Sequence, residues 1–240
     1  MKPSKNNLEK YFSFMRKLEI FNGINRNELD KFLANMQIEN YIKGEIRHFD
    51  PIQHSKLYIV YTGHFKLTNV NIEGMEVVLS LFNKGCVVTP MYFSPHYDVS
   101  AEFLSDVTLF NFTEKDVNQF AKKNHQFSNN NTTYLAGCVQ DLMIQSTVLQ
   151  LKTAKERVGW YLVHAKVHET FEIIFPKAVI ASYLGITPES FSRALNSLKR
   201  EGVSIVNKKI TLNSGDELCR YCDRVTGSNC ALFESKQCAH

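Results

Sequence analysis

IASYLGITPESFSRALNSLKREG, residues 180–202, places a short apolar stretch, a glycine, a threonine-proline pair and an amphipathic run in immediate succession. Gly185 supplies a turn, Thr187 is a helix N-cap, and Pro188 stands at the first helical position, where its missing N–H costs nothing. The spacing predicts a short helix over Lys177–Leu184, with Val179, Ile180, Tyr183 and Leu184 inward, then a tight turn and a second helix. In the second helix Phe191, Leu195 and Leu198 share one side, whereas Glu189, Arg193, Asn196 and Arg200 cluster opposite and Ser192 borders them. The first turn of that outer face offers a carboxylate, a hydroxyl and a bidentate donor, the groups that meet base edges in a major groove.

The surrounding residues extend this reading. Beyond Gly202, VSIVNKKITL predicts a tight hairpin, the wing of a winged helix, with Lys208 and Lys209 at its tip. Between Lys177 and Leu212 six cations oppose two carboxylates, a surplus of +4, which equals the net charge of the whole 240-residue chain. A basic surplus confined to one short segment is the electrostatic footprint of a nucleic-acid-binding module on a neutral carrier. Arg193 is matched to guanine O6 and N7, Glu189 to a cytosine amino group, and Ser192 to a base or a thymine methyl. Thr187, Ser190 and Lys199 suit phosphates. Asn196, Lys208 and Lys209 complete the expected DNA-binding set.

Upstream, residues 37–112 alternate Val, Ile, Tyr, Phe and Leu with polar residues in short runs, and Gly44, Gly63, Gly74 and Gly85 close successive segments. Period-two alternation with regular turns predicts a β-barrel or jelly roll. After Phe112, the run TTYLAGCVQDLMIQSTVLQL carries Leu135, Leu142 and Leu149 seven apart, with Val139 and Ser146 in a second heptad row. A long helix with one narrow apolar seam is expected to pair with its copy in a homodimer. KKNHQFSNNN, residues 122–131, reads as a polar loop before that helix, and Cys138 as packing beside the seam. Thr153–Glu156 is a capping box that starts a further helix, with Val158, Tyr161, Leu162 and Ala165 inward, so a domain boundary is expected near Leu151 and Lys152. The resulting α+β organisation is a β-roll over 1–128 with an N-terminal helix, a dimerisation helix over 129–151, a winged helix over 152–213 and a tail over 214–240.

The tail is the oddity of the sequence. Cys219, Cys222, Cys230 and Cys238 form C-x2-C-x7-C-x7-C and are four of the six cysteines. In a cytoplasmic protein such a set binds metal or serves redox sensing more readily than it forms structural disulfides. An iron-sulfur cluster, a structural zinc and free, reversibly oxidised thiols all remain compatible with the spacing. His240 is an alternative ligand. A second effector pocket, for haem or a small apolar ligand, is conceivable in the roll around Cys86, His96 and Pro90–Phe93. No stretch approaches the roughly 18 uninterrupted apolar residues of a membrane span, and the N-terminus lacks the pattern of a secretory signal, so a cytoplasmic location is expected. Glycine-rich phosphate loops, G-x-S-x-G and H-E-x-x-H are all missing, which leaves an enzyme without a motif. A zinc-dependent interaction protein without specific DNA binding is the more serious rival.

The order of β-roll, long helix, LKTAKERVGWYL, IASYLGITPESFSRALNSLKREG and hairpin resembles the Crp-Fnr superfamily of bacterial transcription regulators over about residues 15–213. Glu189, Ser192 and Arg193 match the E-x-x-S-R pattern of the Fnr-like branch. The resemblance implies a cyclic-nucleotide-binding-type jelly roll, a homodimer held by the long helix, a two-fold operator with TTGAT-like half-sites and contact with RNA polymerase. Two departures accompany it. The family's cyclic-nucleotide members hold the phosphate with an arginine and a glutamate after the glycine matching Gly85, yet Cys86–Phe112 contains neither lysine nor arginine. A buried cyclic phosphate without a counter-charge costs several kcal/mol, so cAMP is not the expected effector. Fnr itself carries cluster cysteines near its N-terminus, whereas the first cysteine here is Cys86. Some relatives place a sensing cluster after the DNA-binding domain, which favours the iron-sulfur reading of the tail.

Overall fold

The computed structural model of the chain describes residues 5–48, 56–89, 99–165, 170–212, 216–223 and 227. His96, Pro90–Phe93, Cys230, Cys238 and His240 lie outside the described residues. Two compact units emerge, residues 1–142 and 143–240.

In the first unit, α1 (Lys5–Met15) and α2 (Arg26–Leu33) precede strands β1 (Gln37–Tyr41), β2 (Ile46–His48), β3 (Lys56–Thr62) and β4 (His64–Val70). Next come β5 (Glu76–Asn83), β6 (Val87–Val88), β7 (Ser100–Phe103), β8 (Val107–Thr113), α3 (Glu114–Lys123) and the long α4 (His125–Leu151). One sheet has the order β1-β8-β3-β6 and the other β2-β7-β4-β5, with antiparallel pairing throughout. Alternation assigns the faces. Tyr58, Val60, Val107 and Leu109 of the first sheet join Phe65, Leu67, Ala101 and Phe103 of the second in one core, the interior of the roll. Their neighbours Leu57, Ile59, Phe110 and Phe112 point the other way and form a second core with Phe12, Met15, Leu29, Phe32, Leu33 and Phe127 from the helices. The roll is therefore the expected jelly roll, and β2 and β6 are additions too short and irregular to be read from the sequence. Gly44, Gly63, Gly74 and Gly85 all take positive φ. At Gly63 a Cβ would lie 2.2 Å from the Asp106 carbonyl oxygen, so glycine is required there on two counts.

The polar loop expected over 122–131 is instead helix. Asn124 interrupts α3 and α4 for a single residue, and its side-chain oxygen accepts from the Phe127 amide at 2.7 Å, capping α4. Its amide nitrogen donates to Glu28 at 2.6 Å, and Asn130 donates to the carbonyls of Ile20 and Asn22. Asparagines that weaken an isolated helix are thus employed in tertiary bonds, and Phe127 is fully buried between them. Helix α4, expected over 129–151, begins four residues earlier, at His125.

The second unit contains the last turns of α4, then α5 (Ala154–Ala165), β9 (Thr170–Glu172), α6 (Lys177–Tyr183), α7 (Pro188–Lys199), β10 (Ser204–Val206) and β11 (Lys209–Thr211). A 3₁₀ turn, Cys219–Tyr221, follows. The expected capping box is present: the Thr153 amide donates to Glu156 at 2.8 Å, and the Glu156 amide to the Thr153 hydroxyl at 3.4 Å. The helix break falls at Lys152–Thr153 as anticipated, while the division between compact units falls within α4, after Leu142. The wing pairs Val206 with Lys209 across Asn207 and Lys208, and Asn207 takes φ 57° as a two-residue turn demands. Strand β9, unanticipated, pairs with β11 and turns the hairpin into a three-stranded sheet.

Candidate nucleic-acid interface

Helix α7 owes its start to Thr187, whose hydroxyl accepts from the Ser190 amide at 3.2 Å, and to Pro188 beside it. Phe191, Ala194, Leu195 and Leu198 are buried, packed with Ile180, Ala181 and Leu184 of the preceding helix segment. The opposite face is open: Glu189, Ser192, Arg193, Asn196, Lys199 and Arg200 are all exposed, and Ser190 is half-buried beside the cap. Gly185, at φ 61°, makes the turn between α6 and α7. Every residue expected on the outer face is therefore on it, and Lys208 and Lys209 are exposed on the wing. A cleft of about 310 Å³ runs between α7 and the wing, lined by Lys177, Ser192, Asn196, Lys199 and Asn207 among others.

Electrostatics keep the acidic member of the set charged. The Glu189 carboxyl is held below the ordinary carboxylate range, first by its own backbone N–H at the helix N-terminus, then by the Thr187 hydroxyl and the nearby Arg193 cation. A carboxylate accepts hydrogen bonds only, which suits an amino group on a base edge.

Two supporting residues escaped the sequence reading. Arg157 of α5 donates from Nη2 to the Leu149 carbonyl at 2.7 Å, from Nε to that of Lys152 at 2.9 Å, and from Nη1 to those of Leu184 at 3.0 Å and Gly185 at 3.4 Å. A single guanidinium thus satisfies the C-terminal carbonyls of α4 and the turn that precedes α7. Gly159 is the second. A Cβ there would stand 2.3 Å from Cγ of Tyr221, so the tyrosine ring lies directly on the α5 backbone. A glycine in mid-helix, costly by propensity, was the available signal.

The described part of the cysteine tail is folded. Leu218 and Tyr221 are buried, Trp160 donates its indole N–H to Asp223 at 3.1 Å, and Tyr221 donates its hydroxyl to Glu201 at 2.6 Å. Burial alone pushes the Glu201 carboxyl up, yet Lys155, Tyr221 and Arg220 together hold it below its ordinary range. Cys219 and Cys222 are half-buried at either end of the turn. Among the described residues no group of three or more His, Cys, Asp and Glu side chains gathers as a metal site. In the roll, Cys86 donates its thiol to Asn83 at 3.1 Å, and burial pushes that thiol's pKa up. The seam of α4 is half-open within one chain: Leu135 and Leu149 are half-buried, Ser146 is exposed, and Val139 and Leu142 retain 47% and 44% of their exposure. Among the described residues no helix is long and apolar enough to cross a membrane.

A helix-turn-helix with a basic wing, preceded by a β-roll and a long helix, is the arrangement of a DNA-binding transcription regulator. Residues 156–221 match the model of the Crp-like helix-turn-helix domain. The chain is 23% identical over 194 residues to the cyclic AMP receptor protein of Thermus thermophilus, covering 79% of this chain and 89% of that one. In fold it is similar to FixK2 from Bradyrhizobium japonicum, with a TM-score of 0.68 and 21% identity over 78% of this chain and 98% of that one. A CooA mutant from Carboxydothermus hydrogenoformans gives 0.64 and 21%, over 78% and 88%. The chain therefore carries a Crp-like helix-turn-helix domain over residues 156–221 and shares its fold with FixK2 and CooA.

Proposed function

We propose that this chain acts as a homodimer on a palindromic operator with TTGAT-like half-sites, read by Glu189, Ser192 and Arg193. The observation that supports this most is the exposed outer face of α7 beside the basic wing. Arg193 donates bidentately to a guanine, Glu189 accepts from a cytosine amino group, and Ser192 contacts the adjoining base. Thr187, Ser190, Asn196, Lys199, Lys208 and Lys209 hold the backbone on either side. Two-fold pairing comes from the α4 seam, where Val139 and Leu142 remain for a second copy to cover. RNA polymerase is the expected protein partner. Replacing Arg193 with alanine should cost about 1–3 kcal/mol at one base pair in each half-site, read by titrating operators changed at each position. A loss uniform across all sequences would make Arg193 a phosphate contact and remove the base-reading role.

For the signal, we propose the C-terminal cysteines, responding to oxygen, nitric oxide or redox state. Cys219, Cys222, Cys230 and Cys238 would hold an iron-sulfur cluster, or zinc as the alternative, and the cluster would supply sensitivity to oxidants. Cys219 and Cys222 fit as one half of such a site, since a C-x2-C turn presents both sulfurs from one short segment. The visible spectrum of protein purified without oxygen should show a broad shoulder near roughly 400 nm that bleaches in air. A colourless sample that contains zinc would replace the cluster by a structural metal. Haem or a small apolar ligand in the roll has less support, because the Cys86 thiol is engaged as a donor. The Thermus relative's name refers to cyclic AMP, but with no lysine or arginine from Cys86 to Phe112 this chain lacks the counter-charge for its phosphate there.

A further inference from the structure

We infer that the turn bearing Cys219 and Cys222 is a latch on α7: Tyr221 seats in the notch left open by Gly159 and positions Glu201 at the end of the DNA-reading helix. The inference rests on the DNA-binding reading of α7 and deepens the role given to the tail.

Three elements converge on one carboxylate. Glu201 directly follows Arg200, the C-cap of α7. It accepts from the Tyr221 hydroxyl at 2.6 Å, from Arg220 at 2.9 Å and from Lys155 of α5. The Tyr221 ring cannot move toward α5, because the Gly159 backbone already touches it. Leu218, 1% exposed, and the bond from Trp160 to Asp223 fix the turn on both sides of that ring. All these contacts belong to the chain itself, so the turn docks through packing and hydrogen bonds of its own. The turn is also tight: the Tyr221 amide donates to the Leu218 carbonyl at 2.9 Å and the Cys222 amide to that of Cys219 at 3.1 Å. Cys219 and Cys222 flank Tyr221 within this turn, so a chemical change that re-aims either sulfur displaces the ring between them. With the ring gone, Glu201 loses its tyrosine and arginine donors and keeps only Lys155, so the last turn of α7 is held less firmly. Tail chemistry is thereby transmitted to the DNA-reading helix through Tyr221 and Glu201, over a path contained in the second unit.

Gly159→Ala tests this in the full-length chain, because the new methyl meets Cγ of the ring and not a flexible tip. Alkylation of Cys219 and Cys222 by iodoacetamide, followed by peptide mass spectrometry, should accelerate by about tenfold or more, the factor that about 1.4 kcal/mol of lost docking produces. Hydrogen exchange of the α7 amides near Arg200 should accelerate with it. Affinity for a palindromic duplex with TTGAT-type half-sites should fall. Faster alkylation with unchanged α7 protection would overturn the latch, since the turn would then open without consequence. Should Gly159→Ala fail to fold, Tyr221→Phe decides: it keeps the ring in the notch and deletes only the hydroxyl. Its expected result is faster exchange at the end of α7, and wild-type exchange there would overturn the route through Glu201. If the unaltered protein ignores the duplex, the operator reading falls, while exchange and alkylation still judge the latch.

Discussion

Arg157→Ala is expected to lower the stability of the second unit by about 2–4 kcal/mol, more than loss of an exposed arginine can account for. The side chain is half-buried and donates to four carbonyls, of Leu149, Lys152, Leu184 and Gly185. Leu149 lies in the last turn of α4, where the helix has no amide left to offer, and the guanidinium also complements the negative end of that helix. Removing it strands these carbonyls. Solvent reaches some of them, so the expected cost stays well below the sum of four charge-assisted bonds. Arg157→Lys should recover little, because an ammonium cannot span the planar fork that links Leu149 to Leu184. Trp160 is the only tryptophan and sits in the second unit, so denaturant unfolding followed by its emission reports on that unit alone. An unchanged midpoint in the alanine variant would show that water replaces the guanidinium at no cost. A second consequence concerns function. The same four bonds fix the turn before α7 relative to the end of α4, so operator affinity should fall even under conditions where the variant is fully folded.

Much of this architecture is legible in the sequence. The α7 faces followed from helical periodicity, and the capping box at Thr153 and the turn at Gly185 from local chemistry that tertiary context did not override. The roll was legible as a class, since alternation survives in strands with one buried face. Its shortest strands were not: Val87–Val88 is two residues long, and Ile46–His48 is exposed throughout, so neither carries a pattern. The start of α4 differs from the expectation because asparagine favours loops when its side chain bonds locally, whereas Asn124 and Asn130 bond to Glu28, Ile20 and Asn22, far away in sequence. For the candidate site the division is similar. The outward residues of α7 announced themselves by type and spacing, but Arg157 and Tyr221 act through backbone carbonyls, a glycine and a carboxylate that no linear motif brings together. The cysteine tail was conspicuous by composition, yet its packing on Gly159 and Glu201 was hidden, since a two-residue spacing between cysteines says nothing about the tyrosine inside it.

Phe32→Ala should be the most damaging single change in the first unit, costing about 3–5 kcal/mol. Phe32 is 3% exposed and lies at the centre of an aromatic group contributed by four elements. Its ring stacks on Phe112 of β8 at 4.1 Å and Phe120 of α3 at 4.4 Å, and lies 5.8 Å from Phe127 of α4 and 5.9 Å from Phe21. Truncation removes the transfer energy of a large apolar group and leaves a cavity that the four surrounding rigid rings cannot collapse to fill. The site also borders a cleft of about 290 Å³ between α2 and α3, lined by Glu28, Phe120 and Asn124 among others, so water gains access to the hole. Far-UV circular dichroism, which senses both units, should show an earlier unfolding transition, while the Trp160 transition stays in place because that residue reports on the other core. Movement of both transitions together would instead mean that the two units unfold as one. Phe127 and the Asn124 cap form the root of α4, so loosening this group also frays the helix that carries the pairing seam. If α4 pairs two copies as proposed, sedimentation of the variant should show a larger monomer fraction than the unaltered chain at equal concentration, and an unchanged distribution would confine the damage to the roll.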